Sequence, residues 1–180
     1  MFLIEIAGIQ CCMANSTLES ELKKQLKALL DGGQAHAKLD DAVSGVPFDV
    51  QGKVPEGLPY SPWQLLEHIR LAQKDILEFS NNADGSYKEL KWPDDYWPKS
   101  PVPPNEDAWG ESVKALKKDR AAFERLLAEG DLTKPFPWGD GNQNLLREAL
   151  LIADHEAYHT GELVMARRLL GAWKPKKGHA

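Results

Sequence analysis

The stretch DHEAYHTGE, Asp154 to Glu162, sets His155 and His159 four residues apart with Glu156 beside the first. On a helix, side chains at i and i+4 project from one side. Two imidazoles so placed can hold one metal ion. HEAYH also matches H-E-x-x-H, in which two histidines bind zinc and the glutamate is the general base of a metalloprotease. Ile152, Leu163, Ala166 and Leu170 share the direction of the histidines, so the pair faces the interior. Buried imidazoles need hydrogen-bond partners, and burial disfavours their charged form. Neutral imidazole is the form that binds metal. The pair alone leaves two readings open: metal ligands, or two interior histidines with local partners.

A third imidazole shifts that balance. His68 lies on the shoulder of the apolar stripe of another predicted helix. A zinc or nickel site needs at least three protein ligands, and a helical bundle can supply them from facing helices. The sequence disfavours the protease reading. A metzincin extension would place Gly at 162 and His at 165, where this chain has Glu162 and Met165. No further glutamate follows Glu162 to serve a glutamate-type zincin. Glu156 is therefore expected to be solvated rather than a general base. Three histidine ligands leave an open position for water or a substrate group.

Weaker candidates surround this set. His36 aligns with Leu18, Leu22 and Leu29 if the first helix is continuous; it is a fourth ligand, a partner to a ligand, or a core histidine. Glu162 either orients a ligand N–H or forms a surface ion pair with Arg168. Trp92, Tyr96, Trp97 and Trp138 fall in two loops, where they line a pocket mouth or anchor the loops. No catalytic residue is assignable.

The elements that must position these residues read as four helices. The first is expected to begin at Ser16, with Ser16 and Glu19 as a capping box, and to bury Leu18, Leu22, Leu26 and Leu29. Gly32-Gly33 is expected to kink or break it. The second starts at Ser61, with Pro62 in the first helical position and Gln64 closing the box. Its stripe is Leu65, Ile69, Ala72, Ile76 and Phe79, with Glu67, Lys74 and Glu78 on the opposite face. The long segment NNADGSYKELKWPDDYWPKSPVPP has no clear periodicity. A segment of this kind can carry the chain the length of a bundle and leave the second and third helices parallel. The third helix spans about Asn105 to Glu129, with Trp109, Val113, Leu116, Phe123 and Leu127 as core. The fourth is long and ends near Gly171. No strand alternation or internal repeat is evident, so the class is all-α, a four-helix bundle.

The chain has 180 residues, 42% hydrophobic and 27% charged, with net charge −5. That suits one domain and argues against a phosphate-backbone binder. Cys11 and Cys12 are adjacent and cannot staple distant segments; they fit a reducing cytoplasm. The apolar start is too short to span a bilayer and makes a poor signal peptide. Residues 1–15 read as an N-terminal arm or mis-assigned start, 16–173 as one domain, and 174–180 as a flexible basic tail.

Three features together carry a family resemblance: SPWQLLEHIRLAQKDILEF, the linker with WPDDYWP and PPNEDAW, and PFPWGDGNQNLLREALLIADHEAYHTGELVMARRLLGAW. They resemble the DinB-like (DinB/YfiT-related) superfamily from about Gly32 to Trp173. The resemblance implies an up-down-down-up bundle with a long crossover between helices 2 and 3. It implies a divalent metal, nickel or zinc, held by one histidine of the second helix and two of the fourth: His68, His155 and His159. It also implies a homodimer, and a small-molecule substrate with a low-molecular-weight thiol as cosubstrate. The expected function is metal-assisted activation of a thiol for transfer to a small electrophile. The alternatives are hydrolysis by bound hydroxide and a metal-binding stress protein without catalysis. Nucleic acid and membrane partners are not expected.

Overall fold

The computed structural model describes residues 3–32 and 34–174, with side chains from Thr17 onward. The described residues are helical, with no strand. The helices are α1 (Leu3–Asp31), α2 (Leu39–Val43), α3 (Phe48–Gln51), α4 (Pro62–Ser80), α5 (Ala108–Glu129) and α6 (Leu145–Leu169), with a 3-10 turn at Asp94–Tyr96. Several of them pack side by side as a helical bundle: α4 lies against both α5 and α6, and α1 against α6 and α5.

Local chemistry sets most of the helix ends. Ser61 accepts from the Gln64 N–H at 3.2 Å, and Gln64 Oε1 accepts from the Ser61 N–H at 3.1 Å, the reciprocal pair expected there. The same two side chains also fix the long linker. Ser61 Oγ donates to the Pro101 carbonyl at 2.6 Å, and Gln64 Nε2 to that of Pro98 at 3.2 Å. Further down α4, Asp75 accepts from the hydroxyls of Tyr87 and Tyr96. The linker thus runs back along α4 from its end to its start. Asn144 caps α6 by accepting from the Arg147 N–H at 3.0 Å. Gly171, at φ +69°, stops α6, with its N–H on the Arg168 carbonyl.

Two apolar clusters fill the interior. One joins Trp63, Leu65, Leu66 and Ile69 of α4 to Trp109 and Leu116 of α5 and Leu163 and Ala166 of α6, with α2 and α3 packed on it. The other joins Phe123 and Leu127 of α5 to Ala149 and Ile152 of α6 and Leu26 and Leu30 of α1. The leading halves of α4 and α5 thus meet the trailing half of α6. The segment carrying α2 is tied to α6 by Arg167, buried at 4% exposure, whose Nη1 donates to the carbonyls of Ala42 and Asp41.

Three expectations are corrected. Helix α1 is continuous through Ser16, which is therefore no N-cap; nothing in the preceding residues, which lack proline, stops a helix there. Its buried stripe is Leu26 and Leu30 with Leu22 packed behind, whereas Leu18 and Leu29 are exposed. The register is set by what α5 and α6 present, which spacing within α1 does not reveal. Third, Glu67 is buried rather than grouped with the solvated Lys74–Glu78 pair. It takes a two-pronged contact from Arg70 at 2.8 and 2.7 Å and a bond from Ser112 of α5. An exactly opposed polar face is not required when a carboxylate is paired inside a helix interface.

At Gly32, φ +66° ends α1 outright, so the double glycine breaks the helix rather than kinking it. Helix α5 begins at Ala108, slightly after the expected Asn105, whose side chain accepts from the N–H groups of Asp107 and Ala108. The predicted core of that helix is otherwise in place. Of the basic tail expected over residues 174–180, only Lys174 is among the described residues. Among the described residues, no helix is long and apolar enough to cross a membrane.

Candidate metal centre

Helices α4 and α6 bring His68, His155 and His159 together. His68 Nε2 lies 3.0 Å from His155 Nε2 and 3.1 Å from His159 Nε2. The rings are tilted to one another by 60° to 85°, so three edges converge on one point. One ligand atom from each lies within 4.8 Å of the others. His68 and His159 are buried, and His155 is half-buried.

The far edges of two rings are fixed. His68 Nδ1 donates to the Tyr96 carbonyl at 3.0 Å. His159 Nδ1 donates to Glu162 Oε2 at 2.6 Å. A carbonyl can only accept, and an ionised carboxylate can only accept, so both Nδ1 atoms carry the proton. With the rings neutral, both Nε2 atoms then present lone pairs. Two lone pairs 3.1 Å apart repel, with no hydrogen between them. His155 can relieve one contact by donating its own Nε2 proton to His68, but it cannot relieve both. A cation at the point of convergence would satisfy all three. Separations of this order are also what ligand distances of about 2.0–2.1 Å to one zinc produce. The donor set therefore fits a divalent metal, with the far-edge partners of His68 and His159 in the usual orienting position.

The electrostatics favour the neutral, ligating form. Burial lowers the His68 pKa to about 4, the Tyr96 carbonyl working against it and the nearby His159 with it. Burial also lowers that of His155 to about 3, reinforced by His159 and His68. Trp97 lies flat against His68, centroids 3.8 Å apart and planes at 7°, and Tyr60 stacks on its other side at 3.9 Å. Trp97 thus covers one face of the His68 ring.

The remaining candidates fall out separately. Glu162 orients a histidine rather than pairing with Arg168. Glu156, expected in solvent, is turned into the α5 interface and paired with Arg120 at 2.7 Å, the two side chains only 12% and 11% exposed. Burial raises its carboxyl pKa, and Arg120 pulls it back. Consecutive positions on a helix diverge by about 100°, so Glu156 leaves the face that His155 occupies. His36 is exposed in the turn after α1, with Nδ1 on its neighbour Ala37's carbonyl. It is neither core nor ligand, because the break at Gly32 takes it off the helix. Trp138 anchors a loop through its N–H on the Phe79 carbonyl at 2.8 Å, while Trp92 is exposed with its ring 6.5 Å from His68.

Sequence reasoning flagged Tyr96 and Trp97 only as loop aromatics. Their roles, a backbone carbonyl and a stacked ring, depend on where the linker folds back. It missed Arg120 and Asp75 altogether, though both are charged residues on otherwise amphipathic helices. Two clefts on the surface, one beside Thr160 and one beside Phe79, are lined without the three histidines.

A family model for the DinB superfamily matches residues 33–163, a span that takes in all three histidines and Glu162. The chain belongs to the DinB superfamily. No curated protein and no solved structure gives a significant match. As a DinB superfamily member it carries a buried three-histidine cluster that could bind a metal ion. The match ends within α6 at Leu163 and begins after the glycine that closes α1. The DinB superfamily match thus spans the linker that supplies Tyr96 and Trp97 as well as both histidine-bearing helices.

Proposed function

We propose that this DinB superfamily protein is a metal-dependent enzyme that activates a thiol cosubstrate for transfer to a small electrophile. The observation that carries the reading is the convergence of three imidazole Nε2 atoms with two of the opposite edges tied down. His68, His155 and His159 are the proposed ligands of nickel or zinc. Such an ion supplies Lewis acidity, lowering the pKa of a thiol or water at its open position so that it is a nucleophile at neutral pH. The chain's own residues do the rest. The Tyr96 carbonyl and Glu162 hold two rings in the ligating tautomer, and Trp97 covers one face of the His68 ring. With water in place of a thiol, the same centre would serve hydrolysis. The contacts along α4, α5 and α1 support an up-down-down-up course: Lys27 of α1 pairs with Glu124 of α5, and Lys23 with the Ala128 carbonyl, in opposed register.

A second reading has its own support. His68 is 1% exposed and His159 8%, and neither of those two clefts includes them. A metal-binding protein without catalysis would look the same. The test begins with metal content of untagged protein, wild type against His155→Ala, followed by thiol consumption with a panel of small electrophiles. About one equivalent of nickel or zinc, lost in the variant, with turnover abolished by chelation, supports the enzyme. Metal without thiol affinity or turnover favours the second reading, and no metal uptake removes both.

A further inference from the structure

Two turns along α4 from His68, the groove between α4 and α6 opens into a cleft of about 440 Å³, within the usual range for small-molecule sites. Its walls combine rings and carboxylates. Phe79, Tyr87 and Trp138 supply the rings, and all three are held in place. Trp138 N–H is on the Phe79 carbonyl, Tyr87 Oη is on Asp75 at 3.0 Å, and Phe79 meets Tyr87 edge-on at 5.4 Å. Asp75, Glu89, Asp140 and Glu148 supply the carboxylates, against the single guanidinium of Arg147.

Asp75 is bonded to the Tyr87 and Tyr96 hydroxyls and Glu148 to Arg147, which leaves the exposed carboxylates of Glu89 and Asp140 with no further cation in the lining to oppose them. Arg147 pairs with Oε1 of Glu148 at 2.6 Å, and Glu148 is 2% exposed. Burial raises its carboxyl pKa; Arg147 opposes this, and Asp75 and Asp140 push in the same direction as burial. An anionic ligand would meet like charge on entry. A neutral apolar one would cover the Glu89 and Asp140 carboxylates without supplying a countercharge. A metal ion does not fit either. Among the described residues, the one group of three or more His, Cys, Asp or Glu ligand atoms close enough to share an ion is the histidine set. The cleft's carboxylates are therefore spread around its wall. Charge spread over several ångströms and interleaved with aromatic rings suits an extended organic cation, whose ammonium ends meet carboxylates and whose methylenes and charge rest on the rings.

We propose that this cleft binds a short aliphatic diamine or polyamine, its ammonium groups on the separated carboxylates and its chain over Phe79, Tyr87 and Trp138. The site is distinct from the histidine centre and stands whether or not that centre holds metal.

The full-length chain is titrated with 1,4-diaminobutane and, in parallel, with butane-1,4-diol, its uncharged counterpart. Binding is read by calorimetry and by the Trp138 indole N–H resonance. The diamine saturates, moves that resonance, and weakens as salt is raised; the diol does neither. Glu89 and Asp140 are exposed at the rim, so the double variant Glu89→Gln/Asp140→Asn leaves the fold intact and weakens the diamine by about fivefold or more, as expected for losing two partly screened ion pairs. Trp138→Leu weakens it through the lost ring. Metal-free His155→Ala binds the diamine like wild type, which separates this site from the metal reading. No saturation, an equal response to the diol, or undiminished affinity in both the rim and Trp138 variants overturns the proposal.

Discussion

His68 and Tyr96, 28 residues apart, meet through a ring nitrogen and a backbone carbonyl at 3.0 Å. The contact makes the linker part of the centre: the carbonyl sets the tautomer of His68, and the next residue, Trp97, covers its ring. Tyr96 is in turn held by its hydroxyl on Asp75 at 2.7 Å. Asp75 thus acts on His68 through the linker without touching it.

Tyr96→Phe keeps the carbonyl and removes that hydroxyl tether. It is expected to cost about 1.5–3 kcal/mol of stability, the worth of a hydrogen bond to a charged acceptor. Metal affinity should fall a few-fold, because the carbonyl is less firmly held. Denaturant melts and a chelator competition measure the two effects. Wild-type metal affinity in this variant would show that the tether does not reach the histidines.

Replacing any one of His68, His155 or His159 by alanine is expected to abolish stoichiometric metal binding. Glu162→Gln keeps a hydrogen-bond acceptor for His159 Nδ1 but loses the charge, and affinity should drop by about 10–100-fold. Elemental analysis and competition with a chromophoric chelator give both numbers. A His68→Ala variant with undiminished affinity would break the three-ligand assignment.

Acid should destabilise the metal-free protein through the same rings. The pKa of His68 is lowered to about 4 and that of His155 to about 3, whereas in the unfolded chain both take up protons near pH 6.5. The unfolded state then binds more protons as pH falls below about 6.5, so stability declines from there until the folded-state values are passed. His68 alone contributes on the order of 3 kcal/mol to that decline. Urea melts of metal-stripped wild type and His68→Gln from pH 7.5 to 4.5 should show a shallower slope in the variant. Parallel slopes would contradict the buried, neutral state of the ring.

Arg120 and Glu156 form a buried pair, and breaking it should be felt in the fold rather than at the histidines. Arg120→Ala is expected to cost about 3–5 kcal/mol by stranding a carboxylate. The double variant Arg120→Met/Glu156→Leu should recover most of the loss, as apolar residues of similar size replace the pair. Metal content should stay at wild-type level in the double variant. Loss of metal with stability intact would return Glu156 to the centre's chemistry.

The sequence by itself determined the four long helices, apart from the start of α1, and the histidine pair. Ser61, Pro62 and Gln64 fixed the start of α4, and Gly32 and Gly171 ended α1 and α6, because capping and left-handed backbone are local chemistry. His155 and His159 shared a face because i, i+4 spacing on a helix dictates it, and His68 was legible from its place beside an apolar stripe. What lay across each face was not local. The exposure of Leu18 and Leu29, the burial of Glu67 and the pairing of Glu156 with Arg120 were decided by the neighbouring helices. His36 left the interior because one glycine ended its helix. Tyr96 and Trp97 reached His68 only because the linker folds back along α4, held at Asp75, Gln64 and Ser61. A backbone carbonyl has no signature in the sequence, so only the tertiary structure could assign the group that holds His68 in its ligating form.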